Sequence, residues 1–295
     1  MLVVDAHAHL FSADETRYPP RKDPSRPPVG TGTIDHLRRE MAAAGVTAVT
    51  AVQVSGFYGF DNRYMCDASQ AHPDWIAGIV TLDPSDPASP SRLAAMAGEF
   101  GVKGLRSVPT RDGRIDDPHV RALWRAAHEH SLVVNLQVDH QLADDADRLL
   151  EQFPELPVVL DHSLKLEAGG PVRETLAALA KLARRPNCHA KVSNIANGPE
   201  GCSDGYPCRS FQPVMLQVID LFGPERCAWG AHFPLEKYSP RLTYRQALQI
   251  YTEELPLNAQ ARAWIVGETA NRLWFGGALR EKEAAGRPEG LSRPA

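Results

Sequence analysis

No apolar run in this chain approaches the ~20 residues that a membrane-spanning helix needs. The N-terminus lacks a basic segment followed by an apolar stretch and a small-residue cleavage site, so no secretion signal is read there and the cytoplasm is the expected location. Excess positive charge is also missing. The formal net charge is -4 and the isoelectric point about 6.3, which argues against nucleic-acid or anionic-membrane partners, since both call for basic patches. Cysteine is scarce: five residues, an odd number, with no CxxC pair to suggest a zinc site. Cys202 and Cys208 flank "SDGYP" and can form a disulfide or hold a metal, although a cytosolic chain keeps its thiols reduced. No glycine-rich phosphate loop follows the first apolar run, which weakens a doubly wound nucleotide-binding sheet.

What is present is an alternation. Short β-branched runs ("LVVDAH", "VTAVTAVQV", "IAGIVTL", "VKGLRSV", "LVVNLQV", "PVVLDHS", "CHAKVS", "RCAWGAH") are separated by longer stretches, most of them with helical periodicity. One of these, "TIDHLRREMAAAG", carries Thr33 or Asp35 as an N-cap and Gly45 as its stop. Continuous apolar strands between amphipathic helices mean a parallel sheet covered by helices. Eight such units in 295 residues predict a single-domain (β/α)8 barrel of the TIM type over residues 1–279, for which ~250 residues is typical. The tail 280–295 has few apolar residues and is expected to be disordered. Two segments fall outside the repeat: "SADETRYPPRKDPSRPPVGTG" after the first strand and "NIANGPEGCSDGYPCRS" after the seventh. Long loops in compact domains tend to be functional.

Histidines collect where strands end. His7 and His9 end the first strand, two apart and so on one face of it. His162 ends the sixth strand and His232 the eighth, next to the first once a barrel closes. Catalytic residues of such barrels lie at these C-terminal ends, so the four imidazoles are expected to share one pocket. A lone strand histidine is more often a hydrogen-bonded core residue; four at strand ends are harder to explain that way. The cluster suits one divalent metal such as zinc or manganese on His7, His9 and His162, or a metal-independent acid–base role. Arg106 ends the fourth strand and needs an anion, from the protein or from a carboxylate-bearing substrate. Lys191 points inward as an electrophilic or anion-binding contact to substrate, or snorkels outward. Gln53, Gln137 and Tyr58 are further candidates for binding a small-molecule substrate. Asp161 is expected by alternation to face away from His162, in a structural role. The oligomeric state is not readable, and a homo-oligomer stays open.

Together "VVDAHAHLF", "REMAAAGVTAVTAVQVSGFYGFDNRY", "GIVTLDP", "GVKGLRSVP", "VVLDHSLK", "KVSN", "FGPERCAWGAHFPLEK" and "GETANRLWFG" resemble the amidohydrolase-related branch of the amidohydrolase superfamily. They are most similar to its subgroup of pyrone-dicarboxylate and sugar lactonases. The resemblance implies a (β/α)8 barrel and hydrolysis of a lactone, ester or amide, with some members decarboxylating. It implies roles for His7, His9 and His162, and carboxylate binding by Arg106. The family's last strand usually ends in an aspartate that activates water; here "GAHFP" puts His232 in that place. A lactonase-like hydrolase using His232, or a metal, to activate water is the leading expectation. A metal-dependent decarboxylase or other lyase, and a catalytically inactive ligand-binding relative, are the alternatives.

Overall fold

The computed structural model describes residues 1–193 and 200–280. Its sheet is one ring of eight parallel strands in sequence order: β1 (Val4–Ala8), β2 (Ala48–Val52), β3 (Ile76–Thr81), β4 (Gly104–Ser107), β5 (Val133–Leu136), β6 (Val158–Leu160), β7 (Cys188–Val192) and β8 (Cys227–Trp229). Every strand residue is buried, as expected of a parallel sheet with side chains packed on both faces. The expected (β/α)8 barrel is therefore the fold.

Helices form where the sequence places caps. Thr33 accepts from the His36 amide to start the helix Ile34–Ala44, and Gly45 ends it in the left-handed conformation, which a residue without Cβ adopts freely. Asp117 caps Pro118–Glu129 in the same way, with proline at the first helical position. The helices Ser89–Phe100, Ala143–Gln152, Val172–Leu182 and Gln212–Phe222 also fall where the periodicity puts them.

The ring closes between β1 and the segment just past β8. The His9 amide donates to the Phe233 carbonyl at 2.8 Å, and the His232 amide to the His7 carbonyl at 2.9 Å. Gly230 makes this approach possible: a Cβ there would lie 2.7 Å from the His7 Cβ. The main core lies between sheet and helices. A smaller cluster with Leu2, Val4, Val52, Ile79, Val133 and Val159 includes Trp274 of the helix Thr269–Phe275.

No helix among the described residues is long and apolar enough to cross a membrane. Cys202 and Cys208 are joined in a disulfide, which resolves the alternatives left open by the sequence and departs from the reduced state expected in a cytosol. The expected tail lies, apart from Arg280, outside the described residues. So does the stretch 194–199 of the expected loop after β7.

Candidate active site

The strand-end histidines meet. Ring centroids lie 4.8 Å apart for His7–His9, 4.3 Å for His7–His162, 5.0 Å for His7–His232 and 4.3 Å for His162–His232. His9, His162 and His232 line a cavity of about 340 Å³ together with Arg106, Gln137, Lys165 and Tyr238, with Ser25 of the first long loop and Val54–Gly56 completing its wall, and His7 lies buried behind them.

The hydrogen bonds order the protons. His9 Nδ1 is 2.7 Å from the Val52 carbonyl oxygen, an acceptor only, so this nitrogen carries the proton and Nε2 keeps its lone pair. That lone pair is 3.3 Å from His7 Nε2. On the other side of the His7 ring, Nδ1 lies 3.2 Å from Lys191 Nζ. An ammonium at Lys191 donates to His7 Nδ1, which puts the His7 proton on Nε2, aimed at His9. His162 Nδ1 pairs with Ser193 Oγ at 2.8 Å. Tyr238 stacks on His232, centroids 4.2 Å apart and planes 10° from parallel.

Burial is the main force on all four rings, because a charged imidazole loses its hydration there. It holds His7 and His232 well below the ordinary histidine value, and His9 and His162 at about 3, helped at the last two by the Arg106 charge. All four are neutral bases at neutral pH. His7, His162 and His232 bring ring nitrogens within 4.8 Å of one another, a trio in which His232 stands where the sequence suggested His9.

The centre of charge beneath the cavity is Asp161. Expected to face away from His162, it lies inside the barrel. The carboxylate is fully buried, 2.8 Å from Lys191 Nζ and 3.0 Å from Arg106 Nε, and Asn135 Nδ2 donates to it at 3.3 Å. Burial acts to raise its pKa, but Lys191 and Arg106 outweigh that and hold it well below the usual carboxylate range. Burial in turn pulls the Lys191 pKa down against the attraction of Asp161. The alternation argument fails because β6 ends at Leu160. From there His162, Ser163, Leu164 and Lys165 all take positive φ, 51°, 48°, 60° and 56°. Four non-glycine residues in a left-handed turn cost on the order of 5 kcal/mol in all. The turn is held by Leu164, 1% exposed, by Ser163 Oγ donating to the Lys191 carbonyl at 3.1 Å, and by the Leu166 amide on the His162 carbonyl at 3.0 Å.

The remaining candidates divide. Lys191 points inward, between Asp161 and the Trp274 ring, whose centroid is 5.6 Å from Nζ. Arg106 spends its Nε side on Asp161, and neither terminal NH2 group has a partner among the described residues. Gln137 lines the cavity. Gln53 does not: its amide donates to the Gly59 and Asp61 carbonyls at 2.8 and 3.0 Å and accepts from Ser55. Tyr58 accepts from the Ser12 amide at 2.7 Å and packs against Phe57. Both hold the loops around the cavity rather than line it.

Sequence reasoning missed Asp5, which ties the β1 and β8 ends together through the His7 and Ala231 amides and the Tyr244 hydroxyl, each at 2.9 Å. Burial raises its pKa to about 6. Tyr238 was also missed. A buried aspartate inside an apolar strand was the available signal for Asp5; none marked Tyr238.

The profile of the amidohydrolase family matches residues 4–276. An L-fucono-1,5-lactonase of Burkholderia ambifaria is 25% identical over 286 residues, covering 90% of this chain and 93% of that protein. Among solved structures, a putative 2-pyrone-4,6-dicarboxylic acid hydrolase from Pseudomonas putida superposes with a TM-score of 0.74 at 24% identity, over 93% of this chain and 97% of the other. A zinc-bound amidohydrolase from Burkholderia multivorans gives 0.73 at 21% identity, over 93% and 99%.

Proposed function

Since the chain belongs to the amidohydrolase family, we propose that it is a lactonase-like hydrolase adding water to the carbonyl of a small, carboxylate-bearing lactone, ester or amide. The observation that carries this reading is the convergence of His9, His162 and His232 on one cavity, backed by His7, with the unpartnered end of Arg106. The L-fucono-1,5-lactonase relative supports a lactone as the bond cleaved.

Arg106 binds the substrate carboxylate through its terminal NH2 groups, a fork matched to two oxygens. Asp161 holds the guanidinium from its Nε side. His232 is neutral and half-buried at the cavity edge, and takes the proton from the attacking water. Tyr238 fixes the plane of that ring. In the tautomer with Ser193 Oγ donating to His162 Nδ1, the His162 Nε2–H is left to stabilise the oxyanion forming at the carbonyl. The same proton then passes from His232 to the leaving alkoxide.

The donors also fit a divalent metal. Neutral imidazoles are a known catalytic zinc set, and three of them bring ring nitrogens within 4.8 Å of one another. His7, His162 and His232 would hold the ion once their facing ring nitrogens had given up their protons, with His9 beside them. Once bound it would lower the pKa of water and polarise the carbonyl. The zinc-bound structural neighbour supports that option.

The test is acid release from a panel of sugar and carboxylated lactones. Wild-type protein hydrolyses at least one, and His232→Ala loses roughly 10²–10⁴-fold in rate, the scale of a lost general base. Full activity in His232→Ala on that substrate refutes the assignment, and carbon dioxide release without hydrolysis refutes the reaction type.

A further inference from the structure

At the ends of β7 and β8 lies a second, much smaller cavity of about 10 Å³. Ser193, Trp229, Gly230, Ser239 and Tyr251 line it, and none of them lines the histidine cavity. Its size suits about one water, and three hydroxyl-bearing residues give it the polar partners that a buried water needs.

Tyr251 reaches this cavity from Ile250–Glu254, a π-helix, a form that is rare and recurs at functional sites. The residue is 1% exposed, and its hydroxyl has no hydrogen-bond partner among the described residues. A buried phenol usually finds one. Ser193, on the same cavity, has its hydroxyl 2.8 Å from His162 Nδ1. What orients that hydroxyl therefore also decides which nitrogen of His162 carries the proton.

We propose that this cavity is a binding site for one water molecule held between Tyr251 Oη and Ser193 Oγ, and that Tyr251 is thereby a positioning residue for His162. The phenol has one proton and no acceptor for it among the described residues, so it donates to the water. The water donates to Ser193 Oγ, and the Ser193 proton goes to His162 Nδ1. The His162 proton then stays on Nε2. Run the other way, Tyr251 and Ser193 both donate to the water, whose own two protons find no acceptor in either hydroxyl. What His162 does with its Nε2 proton rests on the hydrolase reading; the water and the tautomer do not.

The experiment has two readouts on the full chain, both without turnover. A crystal structure that resolves ordered waters shows one within about 3.2 Å of both Tyr251 Oη and Ser193 Oγ. Long-range proton–nitrogen correlation spectra at neutral pH, with a chelator present, report the His162 tautomer, its signals assigned by their loss in His162→Gln. The wild type shows the Nε2–H form. Tyr251→Phe keeps the ring, removes the hydroxyl and shifts the tautomer ratio about 3–10-fold toward Nδ1–H, the scale of one lost hydrogen bond. Ser193→Thr, which keeps a hydroxyl, retains the wild-type form. A purely structural Tyr251 would lower the melting temperature and leave the ratio alone. No water at that position, a wild type in the Nδ1–H form, or an unchanged ratio in Tyr251→Phe overturns the proposal. Should Tyr251→Phe not fold, the wild-type crystal and spectrum decide by themselves. A wild type that hydrolyses no lactone would sink the hydrolase reading alone and leave the water and the tautomer standing.

Discussion

Replacing Asp161 by asparagine keeps the shape of the side chain and removes its charge. Two cations then remain beside it, Lys191 at 2.8 Å and Arg106 at 3.0 Å, with side chains 0% and 6% exposed. Neither can turn to solvent without leaving the barrel interior. Removing one member of a buried ion pair costs about 3–5 kcal/mol, because the survivor keeps its desolvation penalty and loses its compensation. A barrel of this size loses about 2–4 °C of melting temperature per kcal/mol, so Asp161→Asn should melt about 6–20 °C below the wild type at pH 7. Asp161 has a folded pKa depressed below its unfolded value. Its contribution is therefore complete above the unfolded pKa near 4 and fades only as pH falls toward the much lower folded value. The melting gap should accordingly be flat between pH 6 and 8. The assay is thermal unfolding followed by circular dichroism. Removing a cation as well, in Asp161→Asn/Lys191→Met, should recover part of the loss. A single mutant melting within about 2 °C of the wild type would show that the three charges do not depend on one another as argued.

Acid should unfold the protein early. His7, His9, His162, His189 and His232 are all held neutral, below their unfolded value. Their contribution is full above about pH 6.5 and is lost as pH falls toward their folded values, because the unfolded chain then binds the extra protons. Asp5, raised to about 6, works the other way by a single proton. The melting temperature should drop steeply from pH 7 to pH 5, and a flat profile over that range would contradict the burial of the cluster. In denaturant, thiol titration should count three free cysteines before reduction and five after; five at the outset would mean that the Cys202–Cys208 bond is absent.

The barrel was legible because its signals are local and repeated. Apolar β-branched runs, capping residues such as Thr33 and Asp117 and the stop at Gly45 each report on their own neighbourhood. The histidine cluster was legible because strand parity and strand order carry His7, His9 and His232 to one place. Asp161 was misread because parity holds only while the chain stays extended, and the chain turns left-handed one residue later. Gln53 and Tyr58 were read as substrate contacts because the sequence does not say which polar groups the loops will consume; here backbone carbonyls and the Ser12 amide take them. Tyr238 depends on how the turn Leu235–Tyr238 folds back over His232, which no short-range pattern encodes.

Trp274 belongs to the last helix of the barrel and packs with Leu2 and Val4, yet the same indole ring lies 5.6 Å from the Lys191 ammonium. Lys191 in turn touches both Asp161 and His7. A change made to strengthen the packing around that helix therefore reaches the electrostatics of the histidine cluster through one aromatic face. For anyone engineering this scaffold, the two ends of the barrel are a single design variable, and substitutions at Trp274 belong in an activity library as much as in a thermostability one.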